Sequence, residues 1–313
     1  MSPILECPNH AISPAQHNSS PPLSSFLSLF FLFIFLLRKV VMLEKGLSTS
    51  LNTKLTGSGA ETVVLAHGFG GDQTVWNKIL PPLSRYFRVL VFDWGFSGAV
   101  KEQEGLFDPA KHSSYDAFAG DLIALLDEVG LESTVFVGHS MSGMIGCIAS
   151  VKRPDLFKRL ILVGASPRLL NTDGYEGGFE AAQIDQILSS VESDYHGWAP
   201  NFASLGVGPC DPPSIEAFTK CLGRMRPEVA LPLARTVFLC DHREVLGRVT
   251  TPCTIIQTTN DTVVPSSVAR YMHDKIQGES TVKMIEADGH FPQLTAHQQF
   301  LNVLGGVLGF ECN

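Results

Sequence analysis

Short apolar segments rich in β-branched residues recur along the chain, and most neighbouring pairs are separated by a stretch long enough to form a helix. Strands without polar alternation are buried on both faces, which is typical of parallel sheets covered by helices. In one intervening stretch, residues 115–129, the apolar side chains fall on one helical face. The pattern predicts an α/β fold with a mainly parallel sheet flanked by helices. The predicted strands are residues 62–66, 88–92, 134–137, 160–163, 254–257 and 282–285.

The alternation stops between residues 165 and 249, where helix-like segments are separated by Gly, Pro and Asn and no comparable strand occurs. We interpret this region as an all-helical insertion that forms a lid over the carboxyl edge of the sheet. Aromatic side chains at helical spacing usually pack the lid itself, and we expect this of Trp198. A lid on a sheet edge also leaves an apolar cavity between the two layers, where other lid aromatics can lie.

One serine has the local sequence of a nucleophile. The segment Gly138-His139-Ser140-Met141-Ser142-Gly143 follows a predicted strand and precedes an apolar helical stretch. A nucleophilic serine on a strained strand-to-helix turn needs small neighbours, and Gly138 meets that need. Ser142 stands where such motifs usually have a second glycine, but serine is also small. A serine in an ordinary strand–helix turn is the alternative interpretation.

The remaining groups for acyl transfer occur in the expected places. A glycine-rich segment with Phe69 follows the strand at 62–66, so the amides of Phe69 and Met141 are candidates for an oxyanion hole. Asp261 and His290 each follow a predicted strand, and the chain order Ser, Asp, His is that of α/β-hydrolases. Together these residues predict an α/β-hydrolase fold with a catalytic triad of Ser140, Asp261 and His290. Each polar residue taken alone could also be a loop group.

Charge and cysteine usage exclude other classes of protein. The net charge of −8 gives no basic footprint for nucleic acid. The seven cysteines are scattered without a C-x-x-C pair, which favours reduced thiols in a cytosol-like compartment. A possible set of metal ligands occurs at Asp241, His242 and Glu244, but such residues on a helix usually form a solvent-exposed face. We therefore expect no metal and no cofactor.

The N-terminal region is apolar at residues 23–37 and is followed by Arg38 and Lys39, whereas residues 1–22 contain no Lys or Arg. Three interpretations compete: a short signal anchor, an uncleaved targeting segment, or sequence upstream of the natural start. We favour a start at Met42, with residues 1–41 outside the fold, residues 42–313 forming the hydrolase domain and the lid spanning about 166–247. This predicts a protein of cytoplasm and nucleus. Membrane association through residues 23–37 is the alternative.

Several blocks of the sequence resemble the plant strigolactone and karrikin receptor-hydrolases, together with a related bacterial stress-regulator hydrolase. The similar blocks are HGFGGDQTVW, VGHSMSGMIG, RPDLFKRLILVGASPR, YEGGFE, MRPEVAL and DGHFPQL, in order, from about Gly57 to Leu304. The resemblance implies the same triad and a four-helix lid. It also implies a ligand pocket that includes Phe69 and the residues His139, Phe179, Phe202, Phe218 and Phe238.

The chain departs from this family at two places. Leu169 stands where the family commonly has Tyr, and the loop at 93–98, DWGFSG, differs from the usual version and resembles that of the divergent, receptor-like paralogues. We place Leu169 in the pocket, where it removes a hydroxyl.

The leading prediction for function is a slow serine hydrolase of small apolar esters or butenolides. The alternative is a hormone receptor whose hydrolysis is incidental and which signals by a lid change that recruits an F-box protein and a repressor. A general carboxylesterase or lipase is a third candidate, disfavoured by the short lid.

Overall fold

The computed structural model describes residues 46–101 and 103–311, with the backbone alone for residues 103 and 104. The predictions for residues 1–41 and for a start at Met42 lie outside these residues. Within the described part of the chain, no helix has both the length and the apolar character needed to cross a membrane.

The sheet of the described chain has seven strands in the order β1-β3-β2-β4-β5-β6-β7. All neighbouring strands pair in parallel except β1, which runs antiparallel to β3 at one edge. The strands are β1 Lys54–Thr56, β2 Thr62–Ala66, β3 Arg88–Val91, β4 Thr134–His139, β5 Phe157–Val163, β6 Cys253–Asn260 and β7 Ser280–Asp288. The mainly parallel sheet predicted from the apolar segments is confirmed. β1 was not predicted, because its three residues are exposed and form no apolar run.

Helices cover the sheet outside the lid. They are α1 Leu47–Ser50, α2 Leu80–Leu83, α3 Gln103–Leu106, α4 Tyr115–Glu128, α5 Met141–Lys152, α10 Arg243–Leu246, α11 Ser266–Lys275, α12 Pro292–Thr295 and α13 His297–Leu308, with 3-10 turns at Gln73–Trp76 and Pro154–Leu156. α5 packs against both α4 and the central strands β4 and β5, so ten of its residues are buried. The helix that carries the predicted nucleophile at its start is therefore held rigidly by the core.

Four helices of 12 or 13 residues lie between β5 and β6, where the insertion was predicted, and the short α10 follows them: α6 Ala181–Ser193, α7 Tyr195–Val207, α8 Pro212–Arg224 and α9 Pro227–Phe238. Local sequence explains where they begin. The side chains of Asp194 and Asp211 cap α7 and α8 by accepting hydrogen bonds from the amides of Gly197 (2.9 Å) and Ser214 (3.1 Å). α8 and α9 start with proline, whose missing N–H costs nothing in the first turn. The boundaries of the lid as a unit stay a prediction.

Candidate active site

Ser140 lies on the sharp turn between β4 and α5, with a positive backbone φ of 55°. A non-glycine residue in this conformation is strained, and such strain persists only where the surroundings enforce it. Here the amide of Ser140 donates to the carbonyl of Val163 at 2.8 Å. A Cβ at Gly138 would lie 2.6 Å from backbone atoms of Ser142, so only glycine allows the turn to close. The turn places Ser140, half-buried, at the carboxyl edge of the sheet.

Asp261 and His290 follow β6 and β7 and form a direct pair. Nδ1 of His290 donates to Oδ2 of Asp261 at 2.8 Å, and Gln257 Nε2 donates to the same oxygen at 3.0 Å. The other oxygen accepts from the amides of Val263 and Val264 at 2.8 and 2.9 Å. Burial by itself raises the pKa of Asp261, but the attraction of His290 and these hydrogen bonds outweigh burial, and the pKa lies below its usual value. The carboxylate is therefore ionised at neutral pH.

The other ring nitrogen of His290, Nε2, is buried and has no hydrogen-bond partner among the described residues. Because the carboxylate fixes the proton on Nδ1, Nε2 is left as a proton acceptor. The ring reaches this position over Gly164, whose φ is 54° and where a Cβ would come within 2.9 Å of His290 Cε1. The imidazole is thus held in place with Nε2 unpaired among the described residues.

His139 supports the backbone of His290. Its Nε2 donates to the carbonyl oxygen of His290 at 2.8 Å, and its ring centroid lies 4.8 Å from that of His290 and 4.5 Å from that of Phe291. Burial, with repulsion from His290 as a second cause, lowers the pKa of His139 to about 3. His139 is therefore neutral, and it contributes packing and one hydrogen bond rather than charge.

The segments that carry the two predicted oxyanion amides both run next to Ser140. Met141 is the first residue of α5, and the amide of a first helical residue has no carbonyl partner within its helix. The loop that carries Phe69 runs close to Ser140, since a Cβ at Gly68 would be 2.9 Å from Ser140 Cβ. No hydrogen bond from the amide of Phe69 occurs within the described residues.

An apolar cavity lies between the sheet edge and the lid. Its lining residues are Phe69, His139, Ser140, Leu169, Phe202, Gly206, Phe218, Val237, Phe238, Val263, His290 and Phe291. The cavity volume is about 20 Å³, little more than one water molecule requires. Packed rings account for this narrowness: the centroid of Phe69 lies 5.8 Å from that of Phe202, and those of Phe218 and Phe291 are 4.4 Å apart.

Most of the predicted pocket residues line this cavity. The exception is Phe179, whose ring packs edge-on against Phe238 with centroids 5.8 Å apart, one layer behind the wall. Trp198 stacks on Phe202 with centroids 4.6 Å apart, as lid packing. Sequence reasoning missed four lining residues: Gly206, Val237, Val263 and Phe291. Phe291 could have been found, because it directly follows His290.

Comparison with known proteins defines the class. Residues 63–303 match the alpha/beta hydrolase family. The solved structure of a hydrolase from Oleispira antarctica superimposes with a TM-score of 0.77 at 30% identity, covering 82% of this chain and 96% of that chain. The chain belongs to the alpha/beta hydrolase family and is a hydrolase.

Similarity to curated relatives assigns the chain to a narrower family within the hydrolases. The chain is 41% identical to strigolactone esterase D14 of Arabidopsis thaliana over 85% of its length and 99% of that protein. It is 43% identical to karrikin insensitive 2 receptor IA of Petunia hybrida, over 81% of this chain and 92% of that protein. Within the hydrolases, the chain thus belongs to the strigolactone esterase and karrikin receptor family, as its motifs predicted.

Proposed function

We propose that this protein hydrolyses small apolar esters and butenolides through a triad of Ser140, His290 and Asp261. The observation that carries the proposal is the state of His290: its Nδ1 is bound to Asp261, and its Nε2 is free at the wall of a cavity that Ser140 also lines. A fixed tautomer with a free acceptor nitrogen is what a general base for a serine hydroxyl requires.

The reaction then follows from the positions of these groups. Ser140 Oγ attacks the ligand carbonyl as Nε2 of His290 takes its proton, and Asp261 stabilises the imidazolium. The amides of Phe69 and Met141 donate to the oxyanion of the tetrahedral intermediate, an interaction worth a few kcal/mol per donor. His290 returns its proton to the departing oxygen, and water hydrolyses the acyl-enzyme by the same route.

The cavity supports a compact, apolar ligand. Its walls are mainly aromatic and aliphatic, and a volume of about 20 Å³ requires ring movement before even a small ester fits. This disfavours long acyl chains and therefore a general lipase. Curated relatives named as a strigolactone esterase and a karrikin receptor are consistent with a butenolide.

The direct test is Ser140→Ala with a fluorogenic butenolide or a short aryl ester as substrate. We expect hydrolysis and acyl-enzyme formation, detected by intact-protein mass spectrometry, to be lost while the melting temperature is kept. Ser150→Ala is the matched control, because Ser150 is a buried serine of the same helix whose hydroxyl donates only to a carbonyl of that helix, at 2.8 Å. Retained turnover in Ser140→Ala would reject the triad.

A second candidate is a receptor whose hydrolysis is incidental. The narrow cavity favours it, since Phe202 and Phe238 lie on α7 and α9, and a ligand that displaces their rings pushes on those lid helices. An F-box protein and a repressor, in cytoplasm and nucleus, are the partners that the family resemblance suggests. Hydrogen exchange of Ser140→Ala with a butenolide bound tests this: protection or deprotection in α7 and α9 supports the receptor, and an unchanged lid argues against it.

A further inference from the structure

A buried tryptophan bridges the two segments that flank Ser140. Trp94, in the loop after β3, is 1% exposed. Its indole Nε1 donates to the carbonyl oxygen of His67 at 3.0 Å and to Ser142 Oγ at 2.9 Å. The hydroxyl of Ser142 in turn donates to the same His67 carbonyl at 2.5 Å. Three groups that are far apart in sequence thus form a closed triangle of hydrogen bonds.

His67 is also held through its ring. Its Nδ1 donates to the carbonyl of Gly68 at 2.9 Å, and its Nε2 accepts the backbone N–H of Trp94 at 3.1 Å. Burial lowers the pKa of His67, despite opposing attraction from Asp93, so the ring is neutral and Nε2 can accept. Both the carbonyl and the ring of His67 are therefore fixed against Trp94.

These contacts act on the segments that carry the two oxyanion amides. Phe69 is two residues after His67, and Met141 directly precedes Ser142. We propose that Trp94 and Ser142 are positioning residues that set the spacing between the amides of Phe69 and Met141. This inference rests on the proposed function, because it assigns a role in stabilising the same oxyanion.

Ser142 stands where hydrolase motifs in general have glycine, and its hydroxyl completes this triangle. A glycine there would remove two of the three hydrogen bonds and leave only the direct bond from the indole N–H to the His67 carbonyl. Packing alone is the competing account, since the Trp94 ring also contacts Phe92 and Phe118 with centroids 4.9 and 5.8 Å apart. Packing predicts an effect on stability but none specific to the transition state.

The test is Trp94→Phe and Ser142→Ala, measured with the same aryl ester and with an aryl boronic acid that forms a tetrahedral adduct on Ser140. Removing one oxyanion donor outright costs about 100- to 1000-fold in kcat, so a displaced donor should cost about tenfold or more, with KM nearly unchanged. Affinity for the boronic acid should fall in parallel. Because both variants break one network, their combined effect should be smaller than the product of the single effects.

Trp76→Phe is the matched control. Trp76 is also fully buried, but its indole Nε1 has no hydrogen-bond partner among the described residues. We expect it to lower the melting temperature without changing kcat or boronic acid affinity.

The outcomes separate the two proposals. If Trp94→Phe and Ser142→Ala behave like Trp76→Phe, the positioning role is rejected and the triad stands. If Ser140→Ala keeps its turnover, the proposed function itself is wrong. Should Trp94→Phe fail to fold, Ser142→Ala decides alone, because it removes one small hydroxyl: a loss of kcat and boronic acid affinity supports the inference, and normal values overturn it.

Discussion

Asp261→Asn removes the charge beside His290 with almost no change in volume. Each carboxylate oxygen of Asp261 accepts two hydrogen bonds. Oδ1 accepts from the amides of Val263 and Val264, and Oδ2 accepts from Gln257 Nε2 and His290 Nδ1. An amide has only one acceptor atom, so in either orientation its NH₂ faces donors. The two backbone amides cannot change role, whereas histidine can. The NH₂ should therefore face His290.

His290 then responds by moving its proton. Nδ1 becomes the acceptor for the new NH₂, and Nε2 carries the hydrogen, so it cannot take the proton of Ser140. The wrong tautomer costs about 10⁴-fold in kcat in a serine hydrolase with this arrangement. The side-chain N–H of Gln257 is left facing a donor as well, and a buried group without its partner costs about 1–3 kcal/mol of unfolding free energy.

Steady-state hydrolysis of an aryl ester and urea unfolding measure the two effects separately. Asp93→Asn is the control, because Asp93 is a buried carboxylate that accepts from Asn52 Nδ2 and from the amide and side chain of Gln73, away from His290. It should lose stability yet keep most of its kcat. Near-normal turnover in Asp261→Asn would refute the reasoning. If Asp93→Asn lost turnover instead, Asp93 would be the acidic member of the triad.

Leu169 lines the cavity, so Leu169→Tyr should strengthen butenolide binding by up to about a hundredfold if its hydroxyl gains one buried hydrogen bond of about 1–3 kcal/mol. Isothermal titration beside Leu169→Phe separates the hydroxyl from ring volume, and equal affinities would place Leu169 in lid packing alone. The pKa of His139 is lowered from an ordinary 6.5 to about 3, so between these pH values His139 is protonated in the unfolded chain and neutral in the folded protein. Stability should therefore be lost as pH falls from about 6.5 towards 3, and His139→Gln should reduce that slope by about 1.4 kcal/mol per pH unit. Urea unfolding at several pH values checks this, and an unchanged slope would contradict it.

Local sequence patterns were enough to predict the fold class and the chain order of the proposed triad. Buried parallel strands are local apolar runs, and their carboxyl ends meet at one edge whatever the surroundings. Residues placed directly after β4, β6 and β7 were therefore expected near one another: His290 hydrogen-bonds Asp261, and Ser140 and His290 line the same cavity. The need for glycine at position 138 was predictable as well, because the steric requirement of a tight turn depends on only a few neighbouring residues.

Which side chains face the cavity, and how tightly they fill it, depends on packing between segments that are distant in sequence. Phe179 and Phe202 are both aromatic residues of the lid region, yet Phe179 lies in the segment before α6 and packs behind the wall, whereas Phe202 lies on α7 and forms it, because contacts between distant segments orient each ring. The bridge from Trp94 joins residues 27 and 48 positions away. No local pattern encodes such a contact: it depends on the loops after β2 and β3 meeting the first turn of α5, and that meeting is a property of the packed fold.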